Sequence, residues 1–426
     1  MDEKVILQVL AEQKEEIRNM DVLALVPRYE ESLFEFDSNL AQVVIGVRRS
    51  GKSTLCHKVL KGRSIPYAYV NLDDDRLYSL KSDDLNTLLS CVYQIYGLDV
   101  KYVFLDEIQN VDGWHLFVNR LLRQGINVFV TGSNAKLLSS ELATYLTGRY
   151  NEIRLYPFSF AEFCTFRKVD TDNITTKADA ERKMAFKDYL LDGGFPELLH
   201  IRNKRSYVQS LLESIIKKDI KQRFRIRNAE VLQNIANHLL NNNCQEVVYK
   251  DIAELFGLGS SITVAKYVDY LKQAFLIGLL KKHSFKSKER IRNQKSYAVD
   301  TGFIANRDES LLSQNMGWRL ENAVYLELLR RSSRNFNDIY YYKPSTLSKE
   351  VDFVVCSQGN AVELVQVSYD INDAKTFRRE TSALVSASEK LKCDNLTLVT
   401  YDESRDVEVG GKTIHVRSAI DWMLNR

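Results

Sequence analysis

The chain lacks a marked net charge, closely spaced cysteines and any long apolar run, and each absence narrows what it can be. Lys and Arg number 59 against 56 Asp and Glu, a net charge of +3. So even a balance does not announce a nucleic-acid partner, which has to be argued from local patches. The six cysteines, Cys56, Cys91, Cys164, Cys244, Cys356 and Cys393, lie far apart with no C-x-x-C pair. They point to buried thiols in a reducing cytoplasm. No apolar stretch reaches the roughly 18 residues of a membrane span. The opening MDEKVILQVLAEQKEE is acidic and amphipathic, without the basic n-region of a signal peptide. Neither an internal repeat nor a low-complexity tract is present. A cytoplasmic protein with no membrane partner is expected.

What is present is an ordinary globular composition, 45% hydrophobic and 27% charged, in a chain of 426 residues. That length exceeds one hydrophobic core and calls for two to four domains. Val5, Ile6, Val9, Leu10 and Ile17 recur at helical spacing near the start. From about Gln42 to Tyr156, five short apolar runs (42–45, 67–72, 102–106, 127–131 and 152–156) alternate with helical segments. This is the pattern of a parallel sheet covered by helices. After Pro157 the text reads as helices, broken by DGGFPE at 192–197. Beyond Asp300 the α/β pattern resumes, with a helix near 318–331, strands IYYYK, EVDFVV, AVELVQV and LTLVTY, and further helices.

QVVIGVRRSGKSTL places Gly46, four residues, then Gly51, Lys52, Ser53 and Thr54 between a strand and a helical run. This is the spacing and context of a phosphate-binding loop. Glycines let successive backbone N–H groups close round phosphates, and the helix presents its positive end. Lys52 would neutralise phosphate charge, and Ser53 would hold Mg²⁺. In KYVFLDEIQNVDGW an apolar strand delivers Asp106 and Glu107 to its C-terminal edge, where open α/β sheets bind ligands. Asp106 would support the Mg²⁺ shell and Glu107 would polarise the attacking water. ATP and Mg²⁺ are the cofactors implied.

Ser133 and Asn134, which end the next strand run, resemble the sensor position of AAA+ ATPases. Arg149 in LTGRYNEIRLYPFSF resembles their arginine finger, which reaches a neighbouring subunit's nucleotide; that resemblance implies a homo-oligomer. A local role, as a cation at a helix C-terminus, is the alternative for Arg149. Helices after Pro157 look like the lid of such domains, and Phe158, Phe160, Phe163 and Phe166 read as core.

Three helical segments follow from residue 229, then two strands round the loop KSKERIRNQ. Three helices plus a β-hairpin resemble a winged helix-turn-helix. The stretch 281–295 carries Lys281, Lys282, Lys286, Lys288, Arg290, Arg292 and Lys295 against Glu289 alone. A second basic run, KKDIKQRFRIRN, precedes it. Together they suggest DNA contact through phosphates, with a solvated face or a docked protein partner as alternatives.

The last segment resembles the restriction-endonuclease-like core. Active members use an Asp on the second strand and an E-x-K on the third to hold Mg²⁺ and activate water. Here Glu321 lies on the opening helix and Asp352 takes the first position, with Glu350 on its face. Gln366 and Ser368 stand where Glu and Lys would be. Glu363 lies three residues from Gln366 and so points to the other face unless a bulge intervenes. A degenerate scaffold is expected, with an ATP-regulated nuclease as the alternative.

Over nearly its whole length the chain resembles a prokaryotic family that joins an AAA+-type ATPase to a winged helix and a restriction-endonuclease-like domain. The fold class expected is α/β: a P-loop AAA+ parallel sheet with helical lid, a winged helix-turn-helix, and a C-terminal α/β domain. The expected boundaries are 1–25 for the N-terminal helix, 26–157 for the ATPase core, 158–205 for the lid, 206–305 for the winged helix and 306–426 for the last domain.

Overall fold

The computed structural model describes residues 1–22, 24–133, 146, 148–226, 228–284, 289–290, 294–306, 315–344 and 349–426. It falls into two compact units, Met1–Tyr156 with Gln273–Phe275, and Pro157–Lys272 with Leu276–Arg426.

The first unit opens with helix α1 (Glu3–Arg18), whose N-terminus is capped by the Asp2 side chain accepting from the Lys4 N–H. Strand β1 (Ala41–Ile45) and helix α2 (Lys52–Gly62) follow, then β2 (Ala68–Asn71), α3 (Leu85–Tyr96), β3 (Tyr102–Asp106), α4 (Trp114–Arg123), β4 (Asn127–Gly132) and β5 (Tyr150–Arg154). The strands form one parallel sheet in the order β2-β3-β4-β1-β5. They read as continuous apolar runs because both faces are buried. Val43, Ile45, Val103, Leu105, Val128 and Val130 pack with Val9 of α1, Leu88 of α3 and Val118 of α4. The alternate residues Val44, Phe104 and Phe129 pack with Leu55, Val59 and Leu60 of α2. The register aligns Asn71 with Asp106, and Ile45 with Gly132, so the C-terminal strand ends form one rim.

The second unit begins with α5 (Phe160–Arg167), α6 (Thr176–Asp192) and α7 (Lys204–Ser214), the last continuing as a π-helix over Ile215–Gln222. Phe160, Phe163, Phe186 and Tyr189 share a core with Leu320, Val324, Phe353 and Trp422. The helices expected as a lid share this core, and 158–205, 206–305 and 306–426 fall into this one unit apart from Gln273–Phe275. Helices α8 (Ala229–Asn241), α9 (Tyr249–Leu255) and α10 (Ser261–Gln273) precede the antiparallel pair β6 (Ile277–Lys281) and β7 (Gln294–Ala298), the element order expected for the middle segment.

Helix α11 (Met316–Asn335) then leads into β8 (Asp338–Tyr342), β9 (Val351–Ser357), β10 (Asn360–Ser368), α12 (Ala374–Leu391), β11 (Leu396–Thr400), β12 (Arg405–Val409), β13 (Lys412–Ser418) and α13 (Ala419–Leu424). These strands form a mixed sheet in the order β12-β13-β11-β10-β9-β8. One face is covered by Ala383, Leu384 and Ala387 of α12, the other by Leu320, Val324 and Leu328 of α11. The hairpin β12–β13, turning at Gly410 and Gly411 with positive φ, was not expected from sequence. Its alternation of Val407, Val409, Ile414 and Val416 was the available signal. All six cysteines are buried and free. Among the described residues no helix is long and apolar enough to cross a membrane.

Candidate nucleotide site and a closed carboxylate cluster

The loop from β1 to α2 turns on two glycines with distinct roles. At Gly46 a Cβ would lie 2.1 Å from the Leu155 carbonyl oxygen, so only glycine lets the chain pass. Gly51 caps α2 at φ 95°, in the left-handed region. The Lys52 ammonium is buried beneath this loop and donates to the Val47 carbonyl at 3.1 Å. Thr54 lies in the first turn of α2, half-buried. The Ser50 hydroxyl is buried with no hydrogen-bond partner among the described residues.

Asp106 stands at the end of β3. Its Oδ1 accepts from the Ser53 hydroxyl at 2.9 Å and from the Thr131 hydroxyl, and its Oδ2 accepts from the Tyr69 hydroxyl at 3.0 Å. Burial, and next the charge of Glu107, push its carboxyl up, against the three hydroxyls that favour the ionised form. Glu107 is the reverse case. Burial raises it, but Lys52 and Arg48, helped by Gln109 and Ser133, outweigh that and leave it below the usual carboxylate range. Its backbone is left-handed at φ 53°, which turns the side chain out of the strand line. The Ser133 hydroxyl donates to its Oε2 at 3.1 Å, and the Gln109 amide donates to the same oxygen.

The strand ends thus bring Lys52, Ser53, Asp106, Glu107 and Ser133 together as the motifs require. Asn134 lies outside the described residues. Arg149 is exposed and precedes β5 at the opposite edge of the sheet, where Ala41 pairs with Tyr150. From there it faces away from the loop that follows Ile45. Sequence reasoning missed Arg28, Tyr69 and Thr131. The Arg28 guanidinium, buried, donates to the Ser50 carbonyl at 3.4 Å and the Tyr156 carbonyl at 2.7 Å, tying the phosphate loop to the chain beyond β5. No motif marks Arg28, whereas Tyr69 and Thr131 could have been found as strand residues flanking Asp106. The donor set fits a nucleotide with a divalent cation: an ammonium, a glycine-lined helix N-terminus with a buried hydroxyl unpaired among the described residues, and a serine beside a carboxylate.

In the second unit Glu321, Glu350, Asp352 and Gln366 also converge, but round a lysine. Lys295 of β7 is 5% exposed and reaches Glu321 at 3.5 Å, Asp352 at 3.8 Å and Glu350 more closely still. Lys343 approaches the other Glu350 oxygen at 3.3 Å. The Tyr297 hydroxyl donates to Glu321 at 2.8 Å, and the Val367 N–H donates to Asp352 at 2.9 Å. Gln366 accepts from the Asp352 N–H at 3.1 Å and donates to Glu380 at 2.7 Å. Burial works against the Lys295 charge, but Glu321, Asp352 and Glu350 outweigh it and hold the ammonium protonated. Burial and then the Glu321 charge push Asp352 well up.

This corrects the expectation for Lys295, which is an internal counter-ion and not part of an exposed basic loop. Of the other cations in that stretch, Lys282 pairs with Glu289 at 3.6 Å, Lys281 and Arg290 are exposed, and Lys286, Lys288 and Arg292 lie outside the described residues. The β10 irregularity falls between Ala361 and Glu363, ahead of Glu363, whose carboxylate accepts from Thr397 and stays away from Asp352. Ser368 turns to the Asp370 carbonyl. Among the described residues no group of three or more His, Cys, Asp and Glu is arranged to hold a metal ion.

A family model described as an AAA domain matches residues 38–164, and two described as domains of unknown function, DUF8612 and DUF4143, match 183–314 and 316–419. The uncharacterized protein MJ1544 of Methanocaldococcus jannaschii is 34% identical over 376 residues, 86% of this chain and 83% of its own length. An uncharacterized protein of Haemophilus influenzae is 30% identical over 413 residues, 93% of this chain and 97% of its own. The Walker-type ATPase PABY2304 of Pyrococcus abyssi overlays with a TM-score of 0.44 at 16% identity, over 66% of this chain and 95% of that one.

Proposed function

This chain belongs to the family of AAA-domain ATPases that it shares with its archaeal and bacterial relatives, and from that premise we propose that it is a Mg²⁺-dependent ATP hydrolase whose nucleotide state governs DNA contact by the second unit. The observation that carries the reading is the juxtaposition of the Ser53 hydroxyl with Asp106 at 2.9 Å, beside a Glu107 held ionised by Lys52 and Arg48. Backbone N–H groups of the Gly46–Gly51 loop would cradle the phosphates, with Lys52 neutralising their charge. Ser53 and Asp106 would hold Mg²⁺, which when bound supplies positive charge to the phosphate oxygens. Glu107, ionised and turned out of β3, would accept a proton from the attacking water. Ser133 orients Glu107 through its hydroxyl, and Asn134 is assigned to the sensor position beside it. Arg149, on the far edge of the sheet, would serve only a neighbouring copy's nucleotide, which makes the homo-oligomer part of the proposal.

The DNA-contacting part rests on exposed cations of the second unit. Lys218, Lys221 and Arg225 are exposed around the π-helix, and Lys281 and Arg290 are exposed near the hairpin. Lys266 and Lys272 stand with Asp269 on the outer side of α10, whose Val264, Val268 and Leu271 are buried. Phosphate contact of this kind gives position without sequence readout. Titrating a DNA duplex with salt, with and without ATP, tests it: binding should weaken steeply with salt and change with nucleotide. A salt-insensitive or absent complex would favour the protein-docking alternative. The nuclease alternative needs Mn²⁺- or Mg²⁺-dependent cleavage that is lost in Asp352→Ala. The degenerate scaffold is the reading supported by the Lys295 ammonium, which sits among the three carboxylates.

A further inference from the structure

At the edge of the first unit's sheet opposite the phosphate loop lies a cavity of about 820 Å³ that the nucleotide reading leaves unused. It opens where α1 and α2 end, α3 ends, and β2 and β3 begin. Its wall includes the rings of Tyr67 and Tyr96, and Leu98, 83% exposed, stands at its side. The tyrosine hydroxyls are engaged elsewhere, Tyr67 with His57 Nδ1 at 2.8 Å and Tyr96 with the Tyr69 carbonyl at 3.3 Å. What the cavity receives from them is ring carbon.

Four cations line this apolar space, Lys14, Arg18, Lys61 and Lys101, against the single carboxylate Asp99. None of the four has an ion pair among the described residues. Two are fixed in place by carbonyls. Lys14 donates to the Ile95 carbonyl at 2.7 Å and lies 4.8 Å from the Tyr96 ring centre, while Lys61 donates to the carbonyls of Ile17 and Met20. Arg18 and Lys61 also complement the C-terminal ends of α1 and α2, a structural task that accounts for those two. Lys14 does the same for α3, whose last turn holds Ile95, so that Lys101, in the loop before β3, is the one cation left without such a task.

We propose that this cavity binds a small anionic ligand with an apolar, ring-sized body, its sulfonate, carboxylate or phosphate facing the four cations. The volume lies within the roughly 300–1,000 Å³ of ordinary small-molecule sites. Anchored cations around an apolar floor are the complement of such an amphiphile.

The test is fluorescence titration of the full chain, saturated with MgATP, using 8-anilinonaphthalene-1-sulfonate, beside its uncharged analogue N-phenyl-1-naphthylamine. The sulfonate should bind saturably at one site per chain, and the double variant Lys14→Glu, Lys101→Glu should weaken it by about tenfold or more through charge reversal. The uncharged analogue should bind more weakly to the parent and be indifferent to the double variant. Both positions are exposed, and a far-UV dichroism spectrum matching the parent confirms that the variant is folded. Equal sulfonate affinity in parent and double variant, or equal binding of the two dyes to the parent, would overturn the proposal. So would displacement of the sulfonate by ATP, which would place it in the nucleotide site. Capture of an acidic peptide without any dye binding would overturn it in favour of a polypeptide partner.

Discussion

Two buried lysines in this chain sit beside carboxylates, and the difference between them separates a site from a scaffold. Lys52 lies under a glycine-lined loop, donates to the Val47 carbonyl, and leaves Glu107 ionised beside a serine–aspartate pair. Lys295 is enclosed by Glu321, Glu350 and Asp352, with Tyr297, Gln366 and the Val367 N–H engaging the same residues. The same residue types thus do opposite things. In the first unit the lysine lies beneath a glycine-lined loop and keeps a neighbouring glutamate ionised; in the second it neutralises the protein's own acids, as a buried charge must be neutralised to be tolerated.

Substitutions at the two lysines should separate the two cases most sharply. Lys52→Ala should lower ATP affinity by about a hundredfold or more, since charge-assisted contacts to phosphate are lost together (on the order of 3 kcal/mol). Equilibrium dialysis against labelled ATP reads this directly, and unchanged binding would erase the distinction. Lys295→Met should leave nucleotide affinity unchanged but cost about 3–5 kcal/mol of stability, because the acids packed round it lose their counter-ion. Urea unfolding measures the loss, and adding Asp352→Asn and Glu321→Gln should recover part of it. Full stability in Lys295→Met alone would contradict the closed-network account.

Smaller effects refine the picture of the nucleotide unit. His57 of α2 is pushed down to about 4 by burial and then by the Lys61 charge. The unfolded chain takes up this proton near pH 6.5 and the folded chain only near 4. The stability His57 contributes is therefore present above pH 6.5 and falls by about 3 kcal/mol as pH drops through that window. In a folded His57→Gln variant the acid limb of stability against pH between 6.5 and 4 should flatten; an identical slope would remove His57 from the account. The least severe change is Tyr69→Phe, which takes one of three hydroxyls from Asp106. About 1 kcal/mol, or fivefold in turnover, is expected for one such bond, read in steady-state ATP hydrolysis.

Sequence showed the nucleotide unit well because its information is local. Gly46 to Ser53 and Asp106–Glu107 each sit at a strand end, and the strands are unbroken apolar runs, so motif and context could be read together. Tyr69 and Thr131 lie on strands that could be read, but their place beside Asp106 depends on strand order, and the role of Arg28 depends on packing that no short motif encodes. Lys295 illustrates the limit more clearly. Within a run of basic residues it reads as exposed charge, and only the placement of β7 beside α11 and β9 reveals it as buried. The helices after Pro157 show the same limit, since the phenylalanines of α5 announce a core without saying that α11 and the C-terminal sheet share it. The β12–β13 hairpin was legible, its alternation and Gly410–Gly411 turn being plain signals that were passed over.

Whether Glu107 is the base for ATP hydrolysis in the first unit can be read from Glu107→Gln in a single-turnover assay. Parent and variant would be mixed in excess over γ-labelled ATP with Mg²⁺, following bound nucleotide and released phosphate together. Glu107→Gln should bind ATP as tightly as the parent and release phosphate about 100-fold or more slowly. Release at the parental rate would contradict that role.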